Sequence, residues 1–224
     1  MLDALELART GQHRLFGGRV LVALSHQALH LGRTAEAADL ASAALAGTQR
    51  LAPPAAVAMF SAMQACAAAA QGDRATSEAA LSEAERALAQ RPDGDEPPDW
   101  LDFDNGGLAG HAARAYRDLA LPAQARVWAE TAVAQCRADH SRTRAQRSAI
   151  LATVLIQVGE LEQAAHIATG VLTDARRLHS THVINDVAKL VRLIDPSRSA
   201  AAFRFVRQAR QLLAAQPVSS EITS

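Results

Sequence analysis

Aromatic residues make up only 4% of this 224-residue chain, too few for a core built on large rings. Lysine occurs once, at Lys189, among 23 basic residues. Twenty-three acidic residues balance these to a formal charge of zero, which argues against general nucleic-acid binding. The two cysteines, Cys66 and Cys136, are too few and too far apart for a disulfide framework or a thiolate metal site, and they suit a reducing compartment. No apolar run approaches the ~20 strongly apolar residues of a membrane span. The most apolar stretch, residues 55–70, is mostly alanine and reads as a buried helix. The first residues carry acid where a signal peptide needs positive charge, so a cytoplasmic chain is expected. Phosphate-binding loops, nucleophile elbows and His-Glu-x-x-His zinc motifs are all missing, which points away from an enzyme and from any cofactor. Val, Ile and Thr never form a run of strand length.

What the chain has instead is alanine, 52 residues of it, the best helix former. The second feature is a recurring join. Leu31-Gly-Arg-Thr-Ala-Glu-Ala37, Gln71-Gly-Asp-Arg-Ala-Thr-Ser77, Leu119-Ala-Leu-Pro-Ala-Gln-Ala125 and Val158-Gly-Glu-Leu-Glu-Gln-Ala164 share one pattern. Each holds a Gly or Ala, then five places on a small residue. A second small or short apolar residue follows twelve places after the Gly position, at Ala44, Ala84, Ala132 and Val171. Glycine at a C-cap tolerates positive φ and ends one helix. Polar residues then open the next, with Thr34 or Asp73 as N-caps and Pro122 in a first turn. The small residue lets the paired helices approach. Four such joins, near 32, 72, 120 and 159, predict an all-α, right-handed solenoid of antiparallel helix pairs of tetratricopeptide type. The competing reading is a general α-bundle with glycine-ended hairpins.

The pattern predicts about ten helices, near 13–31, 34–48, 55–71, 73–90, 100–119, 122–138, 143–158, 160–178, 181–193 and 198–214, with a short helix over 2–9. One domain over 1–215 follows, interrupted by a polar, proline-rich loop at 91–98 and followed by a tail at 216–224.

Four stretches carry a family resemblance. They are Ser25-His-Gln-Ala-Leu-His-Leu-Gly32; Pro97-Pro-Asp-Trp-Leu-Asp-Phe-Asp104 with Leu108-Ala-Gly110; Arg142-Thr-Arg-Ala145 with Gly159-Glu-Leu-Glu-Gln-Ala-Ala165; and Leu178-His-Ser-Thr-His-Val183. Together they resemble the C-terminal tetratricopeptide-like region of large XRE-type helix-turn-helix regulators of actinobacteria. The resemblance implies a ligand- or protein-binding module of a transcriptional regulator. The stretch before residue 13 is too short for a helix-turn-helix domain, so the expectation is either such a module from a truncated gene or a stand-alone relative, with no direct DNA binding by the chain itself. His182 stands where the family pattern leads one to expect arginine. The rival expectation is a cytoplasmic interaction scaffold unrelated to transcription, and the most remote is an enzyme on a helical frame.

In such a solenoid the first helix of each pair lines the concave face. Counting back from the joins places Arg19, Val22, His26, Leu29 and His30 on that face. The next pairs add Met59, Ala62, Cys66, Ala69 and Ala70, then Gly107, Gly110, Arg114, Arg117 and Asp118, then Gln146, Ala149, Thr153, Ile156 and Gln157. Arg19, His26, His30, Arg114, Arg117, Gln146 and Gln157 are the candidate contacts for a peptide, a protein or a small anionic ligand. Arg114 with Arg117 suits a carboxylate or phosphate clamp. The plainer alternative is a solvated face. The pairs His26/His30 and His179/His182 have helical spacing but lack the further ligands a zinc site needs, so no metal is expected. Trp100 is expected to plug the gap left by the 91–98 loop as an apolar anchor. Arg204, Arg207 and Arg210 mark a candidate homodimer or partner surface.

Overall fold

The computed structural model describes residues 14–48, 52–92, 99–137 and 139–215. The expected helix over 2–9, most of the 91–98 loop and the 216–224 tail lie outside them. Among the described residues there are ten α-helices, one 3-10 turn and no strand. The helices are α1 (Arg14–His30), α2 (Thr34–Thr48), α3 (Pro54–Ala70), α4 (Arg74–Ala89), α5 (Asn105–Asp118), α6 (Pro122–Ala134), α7 (Ser141–Gln157), α8 (Leu161–Leu178), α9 (Thr181–Leu193) and α10 (Ala200–Ala214), with the 3-10 turn at Asp99–Leu101. The chain divides after Gln135 into two compact units.

All four joins share one backbone geometry. Gly32, Gly72, Ala120 and Gly159 have φ of 74°, 78°, 56° and 86°. In each, the residue after the join donates its N–H to a carbonyl five residues back: Arg33 to Ala28, Asp73 to Ala68, Leu121 to Tyr116 and Glu160 to Leu155, at 2.9, 3.0, 2.9 and 2.8 Å. The join residue donates to the carbonyl three back, at 2.9–3.1 Å. This is the paired 6→1 and 5→2 arrangement that satisfies the last carbonyls of a helix. Beyond the joins, Ala37, Ser77, Ala125 and Ala164 are fully buried, as are Ala44, Ala84, Ala132 and Val171 to within 1%. Ser77 is the exception in chemistry, since its hydroxyl has no hydrogen-bond partner among the described residues.

The third join holds alanine where the others hold glycine. A Cβ on Gly32, Gly72 or Gly159 would meet nothing within 4 Å, so the cost of alanine there is backbone strain alone. We expect Ala120→Gly to stabilise the first unit by about 1 kcal/mol, and Gly72→Ala to destabilise it by about as much. Urea unfolding midpoints at constant slope measure both. An unmoved midpoint in Ala120→Gly would show that position 120 relaxes out of the left-handed region.

Two of the expected helix starts hold and two differ. Asp73 caps α4, accepting from the Thr76 N–H at 3.0 Å, and Pro122 opens α6. Thr34 is instead the first helical residue of α2, not its cap. The expected helix over 100–119 starts later, because Asp104 accepts the Gly107 N–H at 2.7 Å and fixes the first turn of α5.

In the first unit α1 packs on α2, α3 on α4, and α5 on α6, while α3 also touches α1, α2 and α5. Thirteen of its 17 residues are buried, so α3 is the central helix, as its near-continuous alanine and apolar run requires. In the second unit α7 packs on α8, and α9 and α10 close over them through Val183, Val187, Leu190, Phe205 and Val206.

Candidate functional site

Along α1, Arg19, Val22 and His26 recur at helical spacing and face α3. On α5, His111 and Arg114 do the same from the other side. Between them α3 supplies Met59 and Met63 as a floor, and the turn ahead of α5 supplies Trp100, Asp102 and Phe103 as a wall. Arg19, Val22, His26, Met59, Met63, Trp100, Asp102, Phe103 and His111 thereby enclose a cleft of about 420 Å³.

Hydrogen bonds tie the polar residues of the cleft to one another and to the backbone. Arg114 Nη1 lies 2.9 Å from His26 Nε2, across 88 residues of sequence. Guanidinium has no acceptor, so in this contact Arg114 donates and His26 Nε2 accepts. His111 Nδ1 lies 3.0 Å from the Gly107 carbonyl, so that nitrogen carries a proton. The rings of His26 and His30 meet edge to face at 4.6 Å, and those of His111 and Phe103 at 5.6 Å. Cys66 donates to the His111 carbonyl at 3.4 Å. Burial pushes its thiol up to about 12, against the opposing pull of Arg114, so it is no nucleophile at neutral pH. Burial also lowers the Arg19 guanidinium from its usual value. Arg19 Nε donates to the Trp100 carbonyl at 3.3 Å.

The sequence-predicted residues divide. Arg19, His26 and Arg114 converge on this cleft or its rim. His30 packs its ring on His26 but is itself exposed. Arg117 turns to Asp118, with Nε and Nη2 at 2.8 and 2.7 Å from Oδ1, so the expected Arg114–Arg117 clamp is not formed: each arginine already has its own partner. The expected open face of the second pair is not open. Ala62 and Cys66 are fully buried, Ala69 is 1% exposed, and Met59 6%. Side chains from α1 and α5 cover α3 from both sides. In the second unit Ala149 is likewise buried, Gln146 half-buried, and Gln157 exposed at the end of α7.

Trp100 does not fill the interior. It is 38% exposed and sits edge to face on Phe16 at 5.8 Å, while Leu101 and Phe103 of the same segment are the buried residues. A 3-10 turn explains the difference, since it sets neighbouring side chains on different sides. His179, with φ of 48°, ends α8 rather than pairing with His182 around an ion. Among the described residues no group of three or more His, Cys, Asp or Glu is placed to hold a metal.

Phe103, Met63 and His111 were not among the sequence candidates. His111 was detectable, as it continues the Gly107, His111, Arg114, Asp118 stripe at steps of three and four. A larger cleft of about 590 Å³ lies between α2, α3 and α4, lined by Thr48, Val57, Ser61, Gln64, Glu83 and Arg86 among others. Its two charged residues are paired with each other, so it presents no uncompensated charge. Within the described residues no helix is long and apolar enough to cross a membrane. No protein-family model matches the chain, and no curated protein matches it.

Proposed function

We propose that this chain is a binding module of tetratricopeptide type, a right-handed stack of antiparallel helix pairs whose first helices present a ligand face. The repeated join geometry and the buried small residues beyond it support that architecture. The observation that carries the functional reading is the convergence of Arg19, His26, His111 and Arg114 from two helices over the apolar surface of α3. Cationic and imidazole donors around an apolar floor are the composition of a ligand pocket. The reading is one of binding rather than catalysis, in keeping with a Cys66 thiol held protonated by burial. A place in a cytoplasmic transcriptional regulator, or in a stand-alone relative of one, rests on the sequence resemblance alone.

Isothermal titration of small organic anions and short acidic peptides tests the proposal. At least one ligand should bind saturably to the wild type, and Arg114→Ala should weaken it about tenfold, because Arg114 orients His26 on the cleft lining. Unchanged affinity removes Arg114 from the site. Silence across the whole panel removes the binding reading.

A further inference from the structure

We propose that the cleft beside Trp100 takes a small molecule with one carboxylate and an apolar body, the carboxylate pairing with Arg19. This rests on the binding reading above and narrows it to a ligand class.

Arg19 is partly buried, and its Nε is spent on the Trp100 carbonyl. Among the described residues no carboxylate pairs with it, whereas Arg33, Arg74, Arg86, Arg117, Arg126 and Arg177 all have acidic partners. An unpaired arginine in open water costs nothing. One drawn into an apolar wall loses hydration and gains no counter-charge unless a ligand brings it. The Nε bond to a rigid backbone carbonyl also orients the fork, leaving the terminal nitrogens for a planar acceptor.

The rest of the cleft selects the body and the charge of the ligand. Val22, Met59, Met63 and Phe103 are apolar, and the exposed rings of Trp100 and Phe16 brace each other at the rim. Methionine adapts to varied apolar shapes. About 420 Å³ suits one small molecule. The lining holds one arginine, Arg19, and no lysine. Asp102 adds a negative charge on the same wall. Asp102 repels a second negative charge, so one carboxylate on Arg19 suits this lining better than a dianionic phosphate.

The full chain is titrated with octanoate, octanol and inorganic phosphate, following heat and tryptophan emission. Octanoate should bind saturably, octanol at least about tenfold more weakly, and phosphate not at all. In Arg19→Met, which keeps an apolar stem, octanoate should fall to the affinity of octanol. Octanoate should shift the emission of the wild type but not of Trp100→Phe, in which Trp128 remains. Equal binding of octanoate and octanol to the wild type overturns the assignment without recourse to any variant. So does tight phosphate binding, undiminished octanoate binding by Arg19→Met, or no octanoate binding. If octanoate fails while another anion or peptide binds in an Arg114-dependent way, the carboxylate assignment falls and the binding module stands. If nothing binds, both fall.

Discussion

Phe60→Ala is expected to destabilise the first unit by about 3–5 kcal/mol, toward the upper end of that range. Phe60 is fully buried at the centre of α3, the helix that touches four others. The cost of a large-to-small change is the lost transfer energy plus the cavity that neighbours fail to fill. The buried cluster to which it belongs is mainly alanine, Ala41, Ala44, Ala55, Ala56 and Ala84 among them. Alanine has no side-chain torsion with which to move into a void, and two helices would have to shift together instead. Phe60→Leu leaves most of the volume filled and should cost about 1–2 kcal/mol. Both tryptophans, Trp100 and Trp128, lie before residue 136, so their emission follows the first unit alone during urea unfolding. A drop below about 1 kcal/mol for Phe60→Ala would mean that the alanine-rich helices do collapse onto the gap.

That same alanine-rich packing decided what could be read in the sequence. The joins were legible because their physics is local. A left-handed C-cap needs glycine or a tolerated alanine, and the next helix needs a small residue at a set distance. Both requirements sit within a few residues, and Gly32, Gly72, Ala120 and Gly159 with Ala37, Ser77, Ala125 and Ala164 meet them in order. Helix α2 at 34–48 and α9 at 181–193 fall at the residues the pattern marks out, for the same reason.

The face of the first helices was harder, because it depends on neighbours that are distant in sequence. Counting back from a join treats each first helix as having one covered side. Helix α3 is covered on both, so Ala62, Cys66 and Ala69 are interior. An all-alanine stripe carries no mark of which side is solvent, since alanine suits either. The partners of the arginines were equally out of reach. Arg114 finds His26 across 88 positions, and Arg117 finds its adjacent aspartate. The loop before α5 hid the remainder of the cleft. Trp100 was legible as an important ring but not as part of a wall, because only the 3-10 turn sets Leu101 inward and Trp100 outward.

Gly18→Ala tests the close packing of α1 where intrinsic helix propensity and tertiary contact predict opposite signs. Gly18 lies inside α1, where replacing glycine by alanine ordinarily gains about 1 kcal/mol. Its Cβ, however, would stand 2.8 Å from Thr48 Cγ2 and 2.9 and 3.0 Å from two ring carbons of Phe60. Neither neighbour can yield easily. Thr48 is pinned by the 2.7 Å hydrogen bond from its hydroxyl to the Ala44 carbonyl, and turning its methyl away would break that bond. The Phe60 ring is fully buried, so moving it aside means displacing other core side chains. Overpacking of this kind costs about 1–3 kcal/mol, and contacts this short put the cost in the upper part of that range, so we expect a net loss of about 1–2 kcal/mol after the propensity gain. Gly47→Ala provides the contrast within the same unit: its Cβ meets nothing within 4 Å, so alanine there should stabilise by up to about 1 kcal/mol. The clash predicts coupling as well. Phe60→Leu removes the ring carbons that the methyl added at position 18 would strike, so Gly18→Ala should cost at least about 1 kcal/mol less in that background than in the wild type. Additive effects in the double-mutant cycle would place the obstruction on Thr48, and a stabilising Gly18→Ala would show that α1 does not approach α2 and α3 this closely in solution.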